Sequence, residues 1–70
     1  MARQRVNPPL NDVQMRILEL LVAGATNRAI AEHLGLSIHT VKRQVTKLLD
    51  VLNCENRTLA AMKAVRSGLI

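Results

Sequence analysis

The chain has 70 residues, a formal net charge of +5 and a pI of about 10.8. This length allows one small domain, and because 49% of the residues are hydrophobic, a thin core can form. The absence of Phe, Tyr and Trp argues against the aromatic base stacking typical of proteins that bind single-stranded nucleic acid. The basic charge suits a polyanionic partner.

Cysteine and histidine are too few to predict a disulfide framework or a metal centre. The single cysteine, Cys54, excludes an internal disulfide, and its apolar neighbours predict a small core residue. His33 and His39 have no cysteine or carboxylate cluster at metal-ligand spacing, so we expect no metal and no cofactor. The N-terminal segment has no apolar run, which argues against a signal peptide or a membrane anchor. We therefore expect a cytoplasmic protein.

The pattern of residues 1–9 predicts a basic N-terminal arm or linker. The two prolines that end this segment lack the amide hydrogens that a helix needs. Arg3 and Arg5 make the arm basic, so it either contacts a DNA backbone or is a solvated tail or linker remnant. The folded domain is expected over residues 10–70.

Apolar periodicity predicts two helices in the first half of the domain. Helix 1 is expected over Asp12–Ala23, with Asn11 as its N-cap and Gln14 completing a capping box. Helix 2 is expected over Asn27–Leu34, where Thr26 is either the N-cap or a phosphate contact. A glycine follows each helix and can take the left-handed backbone that ends it. The predicted core-facing stripe of helix 1 is Val13, Ile17, Leu18, Leu20 and Leu21.

The most informative pattern is a third helix, Ile38–Leu52, that separates an apolar face from a basic face. It follows a Gly-containing turn at residues 34–36 and a Ser37 cap, which is the spacing of a helix–turn–helix unit. In such a unit the second helix enters the DNA major groove, which favours DNA contact over a merely solvated face. At about 100° per residue, the core-facing set is Val41, Val45, Leu48 and Leu52, with Ile38 and Leu49 at its margin, and the opposite set is His39, Lys42, Arg43, Thr46, Lys47 and Asp50.

A fourth helix is expected over Arg57–Ser67, with Asn56 as its N-cap and Gly68 after its end. Its small residues favour close packing on the domain, whereas its other side carries an apolar pair flanked by two cations. In a two-fold dimer the same patch meets itself, so we expect this other side to form a homodimer contact; the alternative is that a further domain covers the apolar pair. The predicted inward face is Ala60, Ala61, Ala64 and Val65, and the predicted dimer face is Leu59, Met62, Lys63 and Arg66.

From Leu10 to Ile70 the chain resembles the C-terminal DNA-binding domain of LuxR/GerE-type transcriptional regulators. The resemblance depends on the order and spacing of five elements. These are Leu10 before helix 1, the Ala-Gly pair that ends it, TNRAIA at residues 26–31, LGLS followed by TVK within residues 34–42, and NRT before a helix that ends in GLI.

The resemblance implies an all-α fold of four helices, with the recognition helix at about residues 38–52 and a dimerisation helix at about residues 57–67. An Arg or Lys at a reading position can donate to guanine O6 and N7, and Arg offers bidentate geometry. A Thr there can bond a base edge or place its methyl group against a thymine methyl. By the resemblance, Lys42, Arg43 and Thr46 read bases, and Thr40 and Lys47 contact phosphates.

We interpret the chain as a bacterial, sequence-specific regulator of transcription that binds double-stranded DNA as a dimer, with RNA polymerase as a further candidate partner. Two alternatives are a promoter-recognition module like region 4 of a sigma factor, and an antagonist that holds a protein partner on the helix–turn–helix surface. A sigma fragment normally ends soon after its recognition helix, whereas this chain continues into another helix. No phosphate loop, activated nucleophile or metal cluster suggests an enzyme. The chain is either a free-standing regulator, which its initial Met favours, or an excised effector domain.

Overall fold

The computed structural model of the chain describes residues 10–70, and the predicted arm with Arg3 and Arg5 lies outside this range. Within it the backbone forms four α-helices and no β-strand, which confirms the all-α fold. The helices are α1 (Asp12–Val22), α2 (Asn27–Leu34), α3 (Ile38–Leu52) and α4 (Arg57–Arg66).

Side-chain caps begin all four helices. The Gln14 amide donates to Asn11 Oδ1 at 2.8 Å, and the Asn11 amide donates to Gln14 Oε1 at 2.9 Å, so the predicted capping box forms. Thr26, Ser37 and Asn56 each accept a hydrogen bond from the amide three residues further on. Thr26 is therefore the N-cap of α2, which was one of the two roles predicted for it.

The helix ends depend on residues that leave helical geometry. Gly35 and Asn53 adopt left-handed backbone with φ of 70° and 58°, and α2 and α3 end directly before them, as predicted. The first and last helices are each one residue shorter than predicted. Ala23 and Ser67 instead serve as C-caps, and their amides donate back to carbonyls of the preceding turn.

One core lies where the four helices meet. The predicted apolar face of α3 is buried along its whole length, and Leu49 at its margin is half-buried, whereas Ile38 is 47% exposed. Cys54 carries a free thiol and is half-buried, packed against this core. The buried set is Ile17, Leu18, Leu21, Ile30, Ala31, Val41, Val45, Leu48, Leu52, Ala60 and Ala64.

Two residues that we expected to face the core are exposed. Val13 is 47% exposed, although it lies one turn before the fully buried Ile17. The period of the helix places Val13 on the right side, where it lines an open depression with Leu34 and Leu36. Within residues 10–70 this depression leaves about half of Val13 exposed. Val65 is 56% exposed, whereas Ala64 beside it is fully buried. One residue is a rotation of about 100°, which carries Val65 out of the packed face.

Arg57 joins α4 to the start of the helix–turn–helix unit. Its Nη1 donates to Asn27 Oδ1 at 2.7 Å, and its Nη2 donates to the Ala25 carbonyl at 2.8 Å. Both guanidinium nitrogens therefore hold the segment where α2 begins. None of the helices in residues 10–70 combines the length and the apolar character needed to cross a membrane.

Candidate nucleic-acid interface

Five side chains of α3 line one open depression on the surface, which we call the α3 basic surface. All five are exposed. They recur every three or four residues along one helix, so they share one face. Four of the five residues predicted to contact DNA therefore lie together. The α3 basic surface consists of His39, Lys42, Arg43, Thr46 and Lys47.

Within residues 10–70, no acid pairs with the three cations of this surface. The ion pairs within residues 10–70 join Arg16 to Glu19 on α1 and Arg28 to Glu32 on α2. An exposed cation without an acidic partner can bind a polyanion directly, because no internal ion pair has to be broken first. The surface therefore suits phosphate and base-edge contacts better than it suits an acidic small molecule in an enclosed pocket.

Acidic residues mark the C-terminal edge of the α3 basic surface. Asp50 and Glu55 line a neighbouring depression together with Thr46, Lys47 and others. Asp50 shares the outward side of α3, as predicted, but it does not line the basic surface itself. The three cations of the surface therefore all precede the two acids along the chain.

Thr40 lies apart from the other predicted DNA-contacting residues. It is half-buried, and its Oγ1 accepts a hydrogen bond from Ser37 Oγ at 2.9 Å. Its amide also donates to Ser37 Oγ at 3.0 Å. Thr40 is thus part of the cap that begins α3, and a phosphate contact by this residue stays a prediction.

The predicted dimer residues also come together, on the outer side of α4. Leu59 and Met62 are 43% and 48% exposed, and they line a depression shared with Lys63 and Arg66. Lys63, one of the two flanking cations, has an internal partner, because its Nζ donates to the Leu52 carbonyl at 2.8 Å. This cation therefore satisfies the last carbonyl of α3, where a positive charge is also favourable to the helix dipole.

A second depression extends the apolar part of this side toward α1. Val22, Ala61, Met62, Val65 and Arg66 line it. Val65 thus belongs to the exposed apolar band rather than to the inward face. The three largest exposed hydrophobic side chains of the band, Leu59, Met62 and Val65, recur every three residues along α4.

Sequence reasoning missed one residue of the α3 basic surface and one residue that holds the helix–turn–helix unit in place. His39 lines the α3 basic surface but was absent from the predicted contact set, although it lies three residues before Lys42 and four before Arg43 on the same face. Helical periodicity was sufficient to find it. No such signal existed for Arg57, because its partners lie 30 and 32 residues earlier in the chain.

Within residues 10–70, no group of three or more histidine, cysteine, aspartate or glutamate side chains is placed to hold a metal ion.

Most of this chain is similar in sequence to known proteins. The family model of bacterial regulatory proteins of the luxR family matches residues 9–64. The transcriptional regulatory protein LiaR of Bacillus subtilis is 40% identical over 57 residues, which cover 81% of this chain and 27% of LiaR. The DNA-binding transcriptional activator DevR/DosR of Mycobacterium tuberculosis is 44% identical over 55 residues, which cover 79% of this chain and 25% of that protein.

A third relative matches the chain from end to end. The transcriptional regulatory protein YdfI of Bacillus subtilis is 31% identical over 70 residues, which cover 100% of this chain and 33% of YdfI. The chain thus spans about a quarter to a third of the length of these relatives. The four-helix fold with its helix–turn–helix unit agrees with the family match. The chain belongs to the luxR family of bacterial regulatory proteins.

Proposed function

We propose that the chain is a sequence-specific regulator of transcription that binds double-stranded DNA and reads the major groove with α3. The observation that supports this most is the α3 basic surface, which carries three cations on the second helix of a helix–turn–helix unit, none of them paired with an acid of residues 10–70. A B-DNA major groove is about 12 Å wide and admits one α-helix. The relatives are named as transcriptional regulators, and one of them as a DNA-binding transcriptional activator.

Each side chain of the surface has a role that its chemistry permits. Arg43 offers a planar pair of donors that matches O6 and N7 of guanine, and Lys42 can donate to the same atoms as a point charge. Thr46 faces the base edges from the next turn. Lys47, at the end of the surface, contacts a phosphate, which fixes the register without reading sequence. Thr40 is assigned a phosphate contact on the family resemblance, since its amide and its hydroxyl oxygen both bond to Ser37.

We assign dimerisation to the exposed side of α4. Leu59 and Met62 supply a small self-complementary patch, and Arg66 carries a charge that repels its mate across a two-fold axis. Lys63 contributes less repulsion than Arg66, since its ammonium group is held at the end of α3. Association in free solution should therefore be weak, and two half-sites about 10 bp apart should strengthen it by holding both chains on one duplex.

The test begins with selection of bound sequences from a random duplex pool by the 70-residue chain. Binding of the selected duplex is then measured for Lys42→Ala and Arg43→Ala. Each should lose about 1–3 kcal/mol of binding free energy and relax preference at one base pair. The matched control is Arg16→Ala, which removes one positive charge from α1, where Arg16 is paired with Glu19. This control should keep the sequence preference of the parent.

Two results would count against the proposal. A pool without enrichment would favour the alternative in which the helix–turn–helix surface holds a protein partner. Enrichment that survives both α3 substitutions unchanged would show that sequence is read by another part of the chain. RNA polymerase as a partner is tested separately, by transcription from a promoter that carries the selected sequence.

A further inference from the structure

The side chain of Thr46 has a fixed internal partner. Its Oγ1 donates to the Lys42 carbonyl four residues earlier, at 3.0 Å. This bond points back toward the preceding turn of α3, so the hydroxyl proton is already donated to a backbone carbonyl. Thr46 is nevertheless exposed and lines the α3 basic surface between the cations. It is the one residue of that surface without a cationic or titratable group.

The hydroxyl bond determines which group of Thr46 faces outward. A threonine Cβ carries two heavy branches, an oxygen and a methyl carbon, in staggered positions. The fixed chirality of Cβ places the methyl group in a different staggered position from the oxygen, so an oxygen that points back toward the preceding turn leaves the methyl group for the exposed side of the helix. The α3 basic surface therefore presents one methyl group among cations, in the region where base edges would lie.

We propose that Thr46 reads the 5-methyl group of a thymine in the major groove. This rests on the proposed function, and it decides between the two contacts that a threonine can make with a base. The thymine methyl is the one apolar group that a base presents in the major groove, and a threonine methyl is a suitable partner for it. The contact discriminates thymine from every base that lacks the methyl.

The position of this thymine follows from the helix. Thr46 lies three residues after Arg43 and four after Lys42, and side chains at these spacings have Cβ atoms about 5–6 Å apart. Successive base pairs are separated by about 3.4 Å along the duplex axis. The thymine should therefore lie within about two base steps of the guanine that Arg43 or Lys42 contacts.

The probe is the duplex that the unchanged chain selects from the random pool, with each thymine replaced in turn by uracil. Uracil keeps the Watson–Crick pairing and removes only the methyl group. One such replacement in each half-site, within about two steps of the base pair whose preference Arg43→Ala relaxes, should weaken binding about fourfold, which corresponds to one buried methyl group. The other uracil replacements should leave the affinity within experimental error.

Two variants separate the methyl group from the hydroxyl group. Thr46→Ser keeps the hydroxyl and lacks the methyl, so it should bind the thymine duplex about fourfold more weakly than the parent and no longer distinguish uracil at that position. Thr46→Val keeps the branched shape and lacks the hydroxyl, so it should retain the preference for thymine. Far-ultraviolet circular dichroism verifies that both variants keep the helical content of the parent.

The opposite pattern would overturn the inference. If Thr46→Val loses affinity while Thr46→Ser keeps it, the hydroxyl group reads the base. If no single uracil replacement weakens binding of an otherwise specific duplex, Thr46 reads no methyl group. A pool without any enriched sequence would overturn the proposed function together with this inference, and it is distinguished from the other two results by the absence of a specific duplex.

Discussion

Replacing Leu48 with alanine tests the assignment of the two faces of α3. Leu48 is fully buried and lies in the middle of the core-facing stripe, directly after Lys47 on the opposite face. If the helical phase is right, this substitution removes three core carbon atoms without touching the α3 basic surface. Fold stability should then decrease, whereas the sequence preference of the molecules that remain folded should not change.

The expected loss is large relative to the stability of so small a domain. A buried Leu→Ala substitution costs about 2–5 kcal/mol, of which part is the transfer of the lost atoms and part the cavity left behind. At about 0.05–0.15 kcal/mol per residue, a chain of 70 residues has a free energy of unfolding of about 4–10 kcal/mol. The variant should therefore lose about half of its stability. For a domain of this size a loss of about 3 kcal/mol lowers Tm by about 12–24 °C.

Thermal unfolding followed by circular dichroism measures this loss, and Leu49→Ala is the matched control. It removes the same atoms from the next residue, which is half-buried at the margin of the stripe. The Tm of Leu49→Ala should therefore lie between those of the parent and of Leu48→Ala. Equal Tm values for the two variants, or a lower value for Leu49→Ala, would refute the assignment of the buried face.

Three further predictions concern the charges and the exposed side of α4. Lys47→Ala should weaken binding to all duplexes about equally and reduce the slope of log affinity against log salt by about one unit; a loss confined to one base position would contradict the phosphate contact. Arg57→Lys keeps the positive charge but cannot donate to both Asn27 and Ala25, so the free energy of unfolding measured in urea should fall by about 1–2 kcal/mol. An unchanged urea midpoint would show that the second of these hydrogen bonds contributes nothing to stability. Replacing both Leu59 and Met62 with Glu should abolish cooperative occupancy of paired half-sites and spare single half-sites, and undiminished cooperativity would exclude α4 as the dimer contact.

The sequence was sufficient to place the helices, because the signals that begin and end a helix are local. Asn11 with Gln14 forms a capping box between residues three apart, and Gly35 and Asn53 end their helices through their own backbone angles. The two faces of α3 were predictable for the same reason. Which side chains share a face depends only on the rotation per residue of one helix, and that rotation is the same in every protein.

The tertiary structure alone decided which faces are covered and which polar groups meet. Val65 is exposed although its neighbour Ala64 is buried, because the placement of the other helices determines how wide the covered face of α4 is. Lys63 donates to a carbonyl 11 residues earlier, and Arg57 holds an amide oxygen 30 residues earlier. No periodic pattern encodes such pairs, since their members lie on different elements and come within hydrogen-bonding distance only after the helices have packed.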